Sequence, residues 1–255
     1  MQVRSFKLWR GVGAAALLAA AACGPVEQAK EGESAEAPAP TPSATPAPAA
    51  GGEAGEAGAS TAYAGVRGAQ LTALRLQHLK GFLLVAERVA RGGAADEAAA
   101  LVGQGVLEVY DHAPAAEFGA LNIAPVRAAA ESPAQIEAAL AAISAAAPAD
   151  ADHAALAARM VDIAAGLYQG VVQPDFVDSI EYQHSMGAAL AARDALVAGE
   201  AALKAKNAAA YDAALAEVDR MIALWPNVTP SASPAAYRDV LAASSRVRLA
   251  LSPFL

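Results

Sequence analysis

The sequence predicts an all-α fold, a duplicated helical bundle carried behind a disordered tether, on three observations. Apolar residues recur at helical spacing from about Gly68 to the end of the chain. No stretch shows the two-residue alternation of a half-buried strand, and several short motifs recur in the same order about a hundred residues further on.

The amino terminus is set aside first. Arg4, Lys7 and Arg10 precede an apolar run, Gly11 to Ala22, only 12 residues long, too short to span a bilayer as a mature helix. Residues 1–22 therefore read as a secretion signal. The segment Leu17-Leu18-Ala19-Ala20-Ala21-Ala22-Cys23-Gly24 resembles the lipobox of bacterial lipoproteins, with Ala20 standing where leucine is usual. That resemblance implies acylation of Cys23 and attachment to the membrane through its lipid. Gly24, where an aspartate would favour inner-membrane retention, points to the periplasm-facing side of the outer membrane. With Cys23 the only cysteine, no disulfide can form within the chain, and packing alone must hold the fold.

Residues 23–62 are expected to be the acylated cysteine and a tether. From Pro25 to about Ser60 the chain is almost wholly Ala, Pro, Glu, Gly, Ser and Thr, which bury too little apolar surface to offset their ordering entropy. A tether of roughly 35 residues reaches about 30 to 40 Å. The chain carries a net charge of −8, and loss of the three basic signal residues leaves −11, which argues against nucleic acid or anionic lipid as a partner.

The helical domain, 63–255, begins with a stripe of Leu71, Leu74, His78, Phe82, Val85 and Val89, halted at Gly92-Gly93. A second helix runs from about Ala95 to Asp111. Irregular sequence around Pro114 and Pro125 has room for a short helical turn. Ser132-Pro133 opens a third helix to about Ala147, with proline in the first turn, where its missing N–H costs nothing. A fourth, from about Asp152 to Gly170, is expected to bury Leu156, Met160, Ile163 and Leu167.

A shift of 106 residues superposes Leu71, Leu74, Gln77, His78 and Gly81 on Val177, Ile180, Gln183, His184 and Gly187. Glu108-Val109 is echoed by Glu217-Val218, and Ser132-Pro133-Ala134 by Ser233-Pro234-Ala235. The expected layout is two three-helix repeats, about 68–147 and 174–251, joined by the Asp152–Gly170 helix. Glycine inside a helix costs about 1 kcal/mol relative to alanine, so Gly81 and Gly187 imply a close approach at that point.

His78 and His184 are the leading candidates for a site. Each lies on the apolar stripe one turn before the repeated glycine, so both are expected to face a seam between the repeats. Glu181-x-x-His184 has the spacing used in ferritin-like di-iron bundles, with Glu108 and Glu217 as the lone carboxylates. Arg75 stands where the second repeat has Glu181, so a single divalent iron, zinc or copper ion is the expectation, not a bridged pair. The bland alternative is a pair of structural histidines, each hydrogen-bonded within the core. Tyr110-Asp111-His112 and Asp150-x-Asp152-His153 read as helix-end features, and Trp225-Pro226 with Phe254 as packing. No Gly-x-Ser-x-Gly elbow, phosphate loop or His-Glu-x-x-His zinc helix is present.

In layout the chain is similar to imelysin-type periplasmic lipoproteins, which join an anchor and a tether to a doubled helical bundle. The resemblance implies envelope metal uptake. The family's Gly-x-His-x-x-Glu signature is replaced here by Gln-His-x-x-Gly, so no functional residue carries over. The expected function is a noncatalytic envelope binding protein for a metal ion or small ligand, serving a transporter or receptor. The alternatives are a scaffold lipoprotein without a ligand site and, more remotely, a metal-dependent oxidase.

Overall fold

The structure is a computed structural model, and it describes residues 59–255. The signal, Cys23 and the tether as far as residue 58 lie outside the described residues. Among the described residues eight α-helices are complete, in order: α1 (Gly68–Arg91), α2 (Ala95–Gly105), α3 (Ala124–Glu131), α4 (Ile136–Ala146), α5 (His153–Tyr168), α6 (Ser179–Ala198), α7 (Glu200–Ile222) and α8 (Tyr237–Leu251). Among the described residues there is no strand, only an isolated bridge between Val172 and Val177. No helix there is long and apolar enough to cross a membrane.

The helix ends follow local chemistry. Gly93, at φ 89°, closes α1: its N–H donates to Ala90 O at 2.9 Å and that of Ala94 to Val89 O at 3.3 Å, satisfying carbonyls the helix leaves open. The Asp152 side chain accepts from Ala155 N at the start of α5, and Asp178 accepts from Ile180 N and Glu181 N at the start of α6. Pro133 lies in a 3₁₀ turn, Pro133–Gln135, that feeds α4. The irregular region holds more helix than expected: a 3₁₀ turn at Ala115–Phe118, then the eight residues of α3 with Pro125 in the first turn. Helix α7 is kinked at Asn207, whose side chain accepts from Ala210 N and restarts it.

At the centre lie α1, α5 and α6, with α6 packed against both others. Residues Glu181 to Ala192 are buried on every side. Such a helix is stable only inside a protein, and the run Ser185-Met186-Gly187-Ala188-Ala189 keeps it thin enough for its neighbours to approach. Helices α2 and α4 pack against α1, with α3 lying against α2 and α4, while α7 and α8 pack around α6 and α5. The expected stripe on α1 is buried from Leu74 onward, and Leu156, Met160, Ile163 and Leu167 are buried on α5. Trp225 is core, edge-on to Tyr168.

The polar face of α1 is not given over to solvent alone. Gln77 donates to Ala191 O at 2.7 Å, and Lys80 pairs with Asp194 at 2.7 Å, tying α1 to α6. Folded packing also begins before the expected boundary at residue 63. Ala59 and Ala62 are buried, and Thr61–Tyr63 forms a 3₁₀ turn against α5.

Candidate functional site

The two repeated histidines are both in the interior. His78, on α1, is 9% exposed and His184, on α6, is 3% exposed. The ring of Phe82 lies against both, its centroid 5.7 Å from that of His78 and 4.6 Å from that of His184. A benzene ring thus stands in the seam where a shared ion was expected. Burial lowers the His78 pKa to about 3, helped by His184 and Arg75 nearby, and lowers that of His184 to about 4 against a smaller opposing effect of Asp178. Both imidazoles are neutral at physiological pH.

Each ring has one nitrogen engaged. His78 Nδ1 is 2.8 Å from the Tyr63 hydroxyl. Burial raises the Tyr63 pKa, so the phenol keeps its proton, and His78 Nδ1 is the acceptor within reach. The proton of His78 then sits on Nε2, which is buried and has no hydrogen-bond partner among the described residues. His184 Nε2 bonds Gln104 Oε1 at 3.0 Å, and its Nδ1 lies 3.6 Å from Glu108 Oε2, too long for a hydrogen bond.

Tyr63 is itself held in place. The Arg75 guanidinium lies over its ring, 4.3 Å from the centroid, and Arg75 Nε donates to Glu117 at 2.8 Å. Arg75, which the 106-residue shift matches to Glu181, therefore orients the partner of His78.

Beside His78 is a cavity of about 260 Å³ lined by Tyr63, Arg75, His78, Phe82, Glu108, Val109, His112 and Leu167, with Ala59 and Ser60. Glu108 and Val109 come from a π turn, Val106–Tyr110, that ends α2 and is closed by Asp111 N donating to Val106 O at 2.8 Å. Such turns are frequent at functional sites. His112 Nδ1 donates to Leu107 O at 2.7 Å.

The five residues expected to hold a metal are not brought together. His78 and Glu108 share the cavity, and His184 touches Glu108 from behind Phe82. Glu181 is buried against Gly170 at the start of α6 and does not line the cavity. Glu217 pairs with Arg220 at 2.7 Å and with Arg246 at 3.6 Å on the α7–α8 surface. Among the described residues no three His, Cys, Asp or Glu side chains are grouped to hold a metal ion. The physical reason is Phe82, which fills the space between the imidazoles, and the outward position of Glu217.

Sequence reasoning missed Tyr63, Arg75, Gln104 and His112. Tyr63 lies at the edge of the low-complexity segment, and Arg75 registers in the sequence only as a break in the repeat. Comparison of the chain with protein-family models, curated proteins and solved structures finds no match.

Proposed function

We propose that this protein is a noncatalytic, lipid-anchored envelope protein that binds a small organic ligand in the cavity beside His78 and serves an uptake system. One observation carries the reading: a cavity of about 260 Å³ whose lining sets Arg75, His78, Glu108 and His112 among apolar side chains. The lining mixes apolar surface from Phe82, Val109 and Leu167 with a few polar groups, the usual composition of small-molecule sites. A ligand fits this lining better than an ion, because the donors do not converge.

The test is native mass spectrometry of the full chain purified from cell envelopes, beside Ala59→Phe, which adds a phenyl ring to the lining. A small molecule retained by the wild type and lost from the variant supports the reading. Its absence from the wild type overturns it. Should Ala59→Phe fail to fold, Leu167→Phe serves the same purpose.

Lipid attachment at Cys23 rests on the lipobox-like segment, and outer-membrane placement on Gly24. Incorporation of labelled palmitate that disappears in Cys23→Ala tests the first, and membrane fractionation tests the second. We also infer that the bundle arose by duplication. The matched Gln-His-x-x-Gly helices and the meeting of Gly81 with Gly187 support this.

A second reading, a scaffold lipoprotein, is favoured by the exposed apolar side chains Val172, Phe176 and Ile180 around the α5–α6 connection. Loss of an envelope partner on Phe176→Ser, with ligand retention intact, would favour it.

A further inference from the structure

The chain passes from α5 to α6 through a closed hairpin. Val172 pairs with Val177, Asp178 N donates to Val171 O at 2.8 Å, Gln173 N donates to Phe176 O at 3.0 Å, and the Gln173 side chain donates to Gly170 O. These bonds engage backbone groups within the hairpin, as a lipid interface requires. The hairpin also holds apolar side chains out of the core. Val172 is 53% exposed, Phe176 59%, and Ile180, in the first turn of α6, 43%.

Two other segments share this end of the bundle. Ala59 lines a cavity with Leu167, and Thr61 and Ala62 line another with Gly166 and Gln169, so the described residues begin beside the hairpin. The α7–α8 connection reaches the same end, where Ala235 O accepts from the Tyr168 hydroxyl at 2.8 Å and Val228 O from the Gln183 side chain at 3.2 Å. Residues 59–66 and 224–236 carry no charged side chain. Residues 169–180 carry only Asp175 and Asp178, and Asp178 caps α6. In a chain of net charge −8, these three segments hold no Lys or Arg and only two acids.

We propose that this end of the bundle rests on a bilayer of zwitterionic head groups, with Val172 and Phe176 in the lipid interface. The chain leads toward Cys23 from beside the hairpin, so an acyl anchor there makes contact with the bilayer an intramolecular event, for which modest affinity suffices. Apolar side chains leave water on entering the interface. Without Lys or Arg in these segments there is no attraction to anionic lipid, and Asp175 stays at the level of the head groups, facing their ammonium ends. The proposal rests on lipid attachment at Cys23.

The test is quenching of tryptophan fluorescence by brominated phosphatidylcholine, in vesicles of phosphatidylethanolamine and phosphatidylcholine that carry the full acylated chain. Trp225 is buried and supplies a constant background. Phe176→Trp puts a reporter on the hairpin. Val197→Trp, at an exposed position about 25 Å beyond Ile180 along α6, is the control. Phe176→Trp is expected to lose the emission of its added indole in brominated vesicles, and Val197→Trp to keep it. Equal quenching of the two overturns the proposal, because no end of the bundle is then preferred. If labelled palmitate is incorporated and Phe176→Trp is not quenched, the lipid contact alone is overturned, and loss of an envelope partner on Phe176→Ser would assign the surface to a protein. If no palmitate is incorporated, the anchor falls and this proposal with it. Should Phe176→Trp fail to fold, Val172→Trp repeats the measurement.

Discussion

Gly81 and Gly187 face each other across the α1–α6 crossing with their backbones in contact. A β-carbon on Gly81 would lie 2.9 Å from the Gly187 carbonyl oxygen, and one on Gly187 would lie 2.6 Å from the Gly81 carbonyl oxygen. The obstacle on either side is backbone, which cannot swing aside as a long side chain would. This contact sets the distance between the helices that carry His78 and His184.

Gly187→Ala is therefore expected to destabilise the fold even though alanine favours helix by about 1 kcal/mol. Overpacking of a close-packed interior costs about 1 to 3 kcal/mol, and relief here requires the two helices to part. A lower urea midpoint at unchanged slope checks this. An unchanged or higher midpoint would show that the crossing has room to spare.

Tyr63→Phe removes the hydroxyl from His78 Nδ1 and leaves both nitrogens of a buried ring without a partner among the described residues. The expected loss is about 1 to 3 kcal/mol, with helix content unchanged by circular dichroism. Nitrogen NMR of the wild type should show the His78 proton on Nε2, and a proton on Nδ1 would overturn the tautomer assigned above.

Acid should weaken the fold through the two histidines. Their folded-state pKa values, about 3 for His78 and about 4 for His184, lie below the ordinary value of 6.5. Between those limits the unfolded chain binds more protons than the folded one, so stability is full above about pH 6.5 and falls as the pH drops toward 4 and then 3. Each buried ring contributes a slope of up to about 1.4 kcal/mol per pH unit in that window. Urea midpoints from pH 7 to 4 should show the decline, and His184→Gln should flatten it. An equal slope in that variant would assign the decline to other groups.

Glu217→Ala, by contrast, is expected to matter little. Its pairs with Arg220 and Arg246 are at the surface, where the two arginine side chains are 61% and 54% exposed, and such pairs are worth about 1 kcal/mol or less. Ligand retention should be unchanged. Loss of retention would return Glu217 to the site.

The helices were legible because their period was: the stripe from Leu74 to Val89 and the quartet on α5 are buried as the spacing required. The glycine pair was legible for a different reason, since two costly residues at matched positions imply a shared contact. The site was legible only in part. His78, His184 and Glu108 lie in one neighbourhood, but Glu217 belongs to another surface, because a carboxylate matched by repeat position carries no information about which way its helix faces. Phe82 was read as one more apolar residue of the stripe, and nothing in its spacing indicates that it fills the seam. Tyr63 reaches His78 from 15 residues upstream, across a turn whose composition resembles the tether more than the bundle.

The π turn at the end of α2 also has a consequence for how such a cavity could arise. A π turn holds one residue more than an ordinary helical turn, and one residue of α-helix corresponds to about 100° of rotation. Deleting a single residue between Val106 and Tyr110 would let an ordinary helix run on and would swing Glu108 and Val109 away from His78. A one-codon change is thus enough to open or close one wall of the cavity while the helices on which the fold depends stay where they are.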